Sequence, residues 1–158
     1  MEQRAFQDDL AATGFEHCWG CGVANEHGLR LRSFWEGDEA VCHWQPQPYH
    51  IAVPGAVNGG ILATLIDCHC AATAVAAAYR AEGRAIGTGE PIRYVTASLE
   101  VTYLRPTPLG PLTLRARPGE VAGRKMTVTC SVYAATGEEC ARGTVVAARV
   151  PATWRASA

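Results

Sequence analysis

The sequence predicts one α+β domain, an antiparallel sheet with a single long helix packed on it. Three observations carry this expectation. Residues 61–82 run without Gly or Pro, a stretch of helical length. Met126, Val128, Cys130 and Val132 alternate with Lys125, Thr127, Thr129, Ser131 and Tyr133, the period of two of a half-buried strand. The strand-like runs are joined by hairpin-length turns, which imply antiparallel pairing.

The elements follow in chain order. Residues 1–16 read as an arm or short helix before the Gly/Cys-rich turn His17–Gly22. Leu29–Trp35 alternates as a strand, Glu36-Gly37-Asp38 turns the chain, and Ala40–Trp44 is its partner strand. Four of residues 45–58 are Pro46, Pro48, Pro54 and Gly55, so this segment is a loop. Asn58 is a good N-cap and Gly83 a good stop, bounding a helix of about 33 Å. At 100° per residue one stripe of that helix gathers Gly60, Ala63, Thr64, Asp67, Cys70, Ala71, Ala74 and Ala78. The opposite face gathers Leu62, Leu65, His69, Ala72, Ala76 and Tyr79, with His69 a core or interface residue. Four strands are expected at Tyr94–Arg105, Leu112–Arg117, Lys125–Ala134 and Cys140–Val150, with residues 151–158 a tail that includes Trp154.

Composition narrows the function. The chain has 158 residues, 48% apolar and 18% charged, which suits one folded domain and excludes a disordered chain. Its 14 basic residues against 15 acidic ones supply no basic stripe for nucleic acid or a membrane surface. Ile61–Tyr79 is apolar and alanine-rich, but Asp67 at the centre of a bilayer helix costs about 2.5–3.5 kcal/mol, so it reads as a buried soluble helix. The polar N-terminus lacks a signal-peptide core. The seven cysteines are expected to be reduced thiols in a cytoplasmic protein.

The candidate chemistry lies at the helix start and two turns along. Gly59 and Gly60 let another group approach the backbone, and first-turn N–H groups at the positive end of the helix dipole form a ready oxyanion site. Asp67 lies on the Gly60 stripe about 11 Å further along the axis, an awkward reach for one thioester to meet both from a single protomer. Each has a plainer explanation: Asp67 as a structurally paired carboxylate, Asn58 as a cap, the glycines as close packing.

Asn58-Gly-Gly-Ile-Leu-Ala-Thr-Leu-Ile-Asp67 resembles the His-Gly-Gly…Asp signature of hotdog-fold acyl-CoA thioesterases of the phenylacetyl-CoA type, with the same spacing of eight from Gly59 to the acid. Val95–Pro106 resembles that family's first long strand after the helix. Cys18-Trp-Gly-Cys-Gly22 with His27-Gly-Leu-Arg-Leu31 resembles the opening of one subgroup, so the likeness spans about residues 17–150. The resemblance implies a sheet wrapped round one helix, a homodimer or dimer of dimers, and active sites at the subunit interface. It implies hydrolysis of an acyl-CoA without metal or redox cofactor. In that scheme Asp67 is general base or nucleophile, the Gly59 N–H polarises the carbonyl, and the Thr96 hydroxyl helps to position water. Gly60 and Cys70 are expected to line the substrate site. Arg124 and Lys125 stand where members hold coenzyme A, with Arg105 a further candidate. Asn58 replaces the motif histidine; it can donate or cap but cannot titrate. Ala52 stands where some members have a second polar group, and His50 is a possible substitute.

Asn58 keeps a non-catalytic acyl-CoA-binding protein open as the alternative. A hydratase of the same fold lacks its Asp/His motif here. Cys18 and Cys21 with His17 and His27 have the residue types of a zinc site, but no second well-spaced cysteine pair follows. The expectation is therefore a tight turn with a buried thiol and no metal. Cys68, His69 and Cys70 point about 100° apart in turn and cannot act as one site.

Overall fold

The computed structural model describes residues 3–10 and 13–154. Its elements are α1 (Phe6–Asp9), β1 (Phe34–Glu36), β2 (Glu39–Trp44), α2 (Gly59–Ala81), β3 (Arg93–Tyr103), β4 (Leu112–Ala122), β5 (Lys125–Ala134) and β6 (Glu139–Val150). The six strands form one antiparallel sheet in the order β1-β2-β4-β5-β6-β3. α2 packs against β2 to β6, so the sheet curls round it in the hotdog arrangement.

The boundaries of α2 follow from local chemistry. Asn58 Oδ1 accepts the N–H groups of Gly60 (2.8 Å) and Ile61 (3.3 Å), satisfying two donors that a helix start leaves unpaired. Gly83 ends the helix at φ +65°, a conformation that a Cβ disfavours. α2 is long and apolar enough to cross a bilayer, but most of its surface is covered by the sheet. Leu65, Ile66 and Tyr79 are fully buried beside Leu114, Val128 and Val145 of the strands. Each such aliphatic side chain contributes roughly 1.5–3 kcal/mol. Helix and sheet approach closely at Gly143, where a Cβ would stand 2.7 Å from Ile66 Cγ2.

β5 spans Lys125–Ala134 as its alternation predicts, with Met126, Val128, Cys130 and Val132 buried. Two strands differ from expectation. Residues 29–33 form no strand and do not pair with β2. Leu29 N–H and Leu31 N–H instead bond to Trp19 and Gly20 carbonyls of the Gly/Cys turn, and Arg30 between them has φ +54°. β4 continues past Arg117 to Ala122, because a register shift between Pro118 and Val121 absorbs the proline. β3 carries a bulge: Thr96 pairs with Ala147 and Ser98 with Val146, leaving Ala97 as an extra residue. Arg93 Nε donates to Thr13 O (2.8 Å) and ties the N-terminal segment to the start of β3. Residues 155–158 of the expected tail lie outside the described residues, while Trp154 is partly exposed.

Candidate functional site

A cavity of about 300 Å³ opens between the middle of α2, the start of β3 and residues 7–10 and 13–23. Leu10, Phe15, Val23, Val75, Ile92 and Val95 make its wall mostly apolar. Asp67 and Thr96 meet on this wall, with Thr96 Oγ1 donating to Asp67 Oδ1 at 2.5 Å. The bulge at Ala97 directly follows Thr96. Burial pushes the Asp67 carboxyl above its ordinary value. The Thr96 hydroxyl opposes this, and negative charge on Cys18 adds to it. With Thr96 holding Oδ1, the second carboxylate oxygen keeps its capacity as a hydrogen-bond acceptor or base.

The helix start is a second polar locus. The Asn58 cap takes the amides of Gly60 and Ile61 and leaves the Gly59 N–H outside it. Tyr103 Oη donates to Gly59 O (2.7 Å), and its ring covers the Gly59 Cα, where a Cβ would meet it at 3.3 Å. His50 belongs to the loop behind this tip. Its backbone carbonyl accepts the Asn58 N–H (2.9 Å), its ring stacks on Trp44, and its Nδ1 accepts the Gln47 N–H (2.9 Å). Partial burial lowers the His50 pKa.

The remaining sequence candidates lie apart. Cys70 does not line the cavity: it is fully buried on the sheet side of α2 beside Cys130, because the curled sheet covers more of the helix than one stripe leaves free. Arg124 and Lys125 are exposed at the turn from β4 to β5. Arg105 forms an exposed ion pair with Glu138 (3.1 Å). Gly60 is exposed at the helix tip.

The sequence reading missed one convergence. Cys68 Sγ lies 3.7 Å from Cys18 Sγ, and Cys21 completes a cluster whose three sulfurs are all within 4.8 Å of one another. Neither His17 nor His27 belongs to it. All three cysteines line the same cavity as Asp67. The Cys18 thiol is held well below its ordinary value by S–H donation from Cys21 and Cys68. Those two thiols are pushed up, Cys21 to about 12, chiefly by giving their hydrogens to sulfur. His69, on the other side of α2, is sealed in the core as expected.

A carboxylate held by a hydroxyl in an apolar cavity, eight residues from a glycine-rich helix tip, is a hydrolase-like arrangement on a hotdog scaffold. The thioesterase superfamily profile matches residues 54–141, more than half of the chain and the stretch that holds Asn58, Gly59, Asp67 and Thr96. The chain belongs to this superfamily. It is 30% identical over 134 residues to the acyl-coenzyme A thioesterase THEM4 of Bos taurus (83% of this chain, 46% of that protein). It is 31% identical over 134 residues to the THEM4 of Xenopus laevis (83% and 49%). The chain thus spans about half the length of these curated relatives. A thioesterase superfamily protein from Shewanella loihica PV-4 superposes with a TM-score of 0.64 at 40% identity, covering 82% of this chain and 98% of that one.

Proposed function

We propose that the protein hydrolyses an acyl-CoA thioester to a carboxylic acid and free coenzyme A, with Asp67 as the base. The observation that carries this reading is the half-buried Asp67 carboxylate, one oxygen held by Thr96, on the wall of a mostly apolar cavity. Burial raises its pKa, which makes the carboxylate a stronger base than an exposed aspartate. Asp67 Oδ2 takes a proton from water as the water oxygen bonds to the thioester carbonyl carbon. The oxyanion that forms is stabilised by an amide N–H. The C–S bond then breaks and the leaving thiolate takes the proton from Asp67. Direct attack by the carboxylate, with water cleaving the resulting anhydride, gives the same products.

We place the stabilising N–H at Gly59 of a second copy of the chain. About 12 Å of helix separates Gly59 from Asp67 within one protomer, too far for one carbonyl to meet both. Homodimerisation is supported by β3, an eleven-residue strand at the sheet edge that exposes Leu99 and Tyr103, with exposed Leu104 directly after it. A dimer of dimers would add a second interface on another face. Arg124 and Lys125 are the cations assigned to the phosphates of coenzyme A, and the apolar cavity wall to the acyl group. The thiol-rich composition supports a cytoplasmic setting.

One observation favours a second reading, an acyl-CoA binder without turnover: the Asn58 side chain that replaces the motif histidine is engaged in capping. Thiol release from short, long and aromatic acyl-CoAs by wild type, Asp67→Asn and Asn58→His separates the two. Turnover abolished in a folded Asp67→Asn protein supports hydrolysis by Asp67. Equal rates in wild type and Asp67→Asn remove that assignment. Acyl-CoA binding with no thiol released by wild type establishes the binder.

A further inference from the structure

The cysteine cluster lies beside the Asp67–Thr96 pair, and the hydrolysis described above makes no use of it. Cys18 and Cys21 also precede the stretch that matches the superfamily profile. We propose that Cys18, Cys21 and Cys68 form a three-thiolate site for a thiophilic divalent cation, Zn²⁺ being the natural probe, with its fourth coordination position open to the cavity.

The distances suit a metal better than a disulfide. Tetrahedral zinc with Zn–S bonds of about 2.3 Å requires sulfurs about 3.8 Å apart. Cys18 and Cys68 are 3.7 Å apart, and all three sulfurs fall within 4.8 Å of one another. A disulfide needs about 2.05 Å, and all three cysteines are free.

The backbone is also built for this convergence. Cys18 and Cys21 stand at the Cys-x-x-Cys spacing that zinc turns use. The turn is closed by Cys18 N–H to Phe15 O (3.0 Å) and Gly22 N–H to Cys18 O (2.8 Å). Gly20 is what admits Cys68: a Cβ there would stand 2.3 Å from Cys68 Sγ. A single buried cysteine is ordinary core filling. Three that converge from a turn and from a helix fifty residues away, on the wall of an open cavity, form a donor set.

Binding is a proton-for-metal exchange. Each sulfur still protonated loses its hydrogen to the buffer, three S–Zn bonds form, and the three thiolates with Zn²⁺ carry a net charge of −1. Water or another neutral donor in the cavity fills the fourth position. Affinity therefore falls as pH falls.

The full chain, reduced and stripped of metal, is titrated with Zn²⁺ against a chromophoric chelator, and separately with Co²⁺. The expected results are one ion per chain, thiolate-to-cobalt charge-transfer absorption, and protons released into weak buffer on adding zinc. Cys18→Ser and Cys21→Ser, at partly exposed positions, should fold as judged by near-UV circular dichroism. Both should lose more affinity than the roughly 10–100-fold that removing an outer-shell partner costs. Cys140→Ala, outside the cluster, should keep the wild-type affinity. Zinc-free reduced wild type that releases no protons on adding the ion overturns the proposal. So does unchanged affinity in both folded serine variants, or a Cys18–Cys68 disulfide in protein that binds no zinc after reduction.

Discussion

Asp67 and His69 are two residues apart on one helix and have opposite fates. His69 has no exposed surface and both ring nitrogens are satisfied: Ser33 Oγ bonds Nδ1 (2.8 Å) and Nε2 donates to Ala40 O (3.0 Å). Gln7 in turn holds the Ser33 hydroxyl and N–H (3.1 and 2.8 Å), so the network closes on itself. Asp67 has one hydroxyl partner and an open cavity in front of it. The sealed group specifies how β1, β2 and the N-terminal segment sit on α2. The open one is left with spare acceptor capacity, which costs stability and permits chemistry. Substituting each should therefore damage a different property.

The largest effect is expected from Asp67→Asn, a fall in kcat of roughly 10²–10⁴ with the melting temperature unchanged or raised, since a carboxylate burdened by desolvation is replaced by a neutral amide. Steady-state thiol release beside a thermal melt checks this. His69→Ala should do the reverse. Losing a packed ring and leaving the Ser33 hydroxyl and Ala40 carbonyl without their partner costs about 3 kcal/mol in urea unfolding, while the folded fraction keeps kcat within a few-fold.

The same histidine predicts an acid weakness. Burial lowers its pKa to about 4, below the unfolded value near 6.5. Between those values the unfolded chain takes up a proton that the folded chain refuses. Stability therefore falls as pH drops through this window and levels off below it, by about 3 kcal/mol in total. Unfolding midpoints at pH 7 and 4.5 should differ more in wild type than in His69→Gln.

Thr96→Val, which frees Asp67 Oδ1, should lower kcat about tenfold with little change in KM, and Thr96→Ser should restore it. The smallest effect belongs to the cap. Asn58→Ala should cost about 1 kcal/mol of stability, measured by thermal melting.

Much of the scaffold was legible because its signals are local. Asn58 and Gly83 bound α2 by cap chemistry, and β5 betrays itself by alternation. Where a partner far along the chain decides, the sequence misleads. Leu29–Ser33 alternates like a strand but pairs with the Gly/Cys turn, and β4 outlasts its proline through a register shift. The site divides in the same way. The family resemblance puts Asp67 and Thr96 in one scheme, and the two side chains meet, while Gly59 stays at the helix tip. Cys70 was expected in the cavity because a helical stripe does not show how far the sheet wraps. Cys68 was set aside with its helical neighbours, since nothing near it in sequence announces Cys18 and Cys21.

Ala97 has a consequence beyond its own position. Thr96 and Tyr103 are an odd number of residues apart, so in a regular strand they would point to opposite sides of the sheet. Both reach α2, one grasping Asp67 and the other Gly59. The single inserted residue corrects the parity, allowing one strand to clamp the helix at both places where chemistry is expected. Deleting it would leave the hydrophobic count almost untouched yet turn the two clamps back to back, a frameshift in three dimensions rather than in the code.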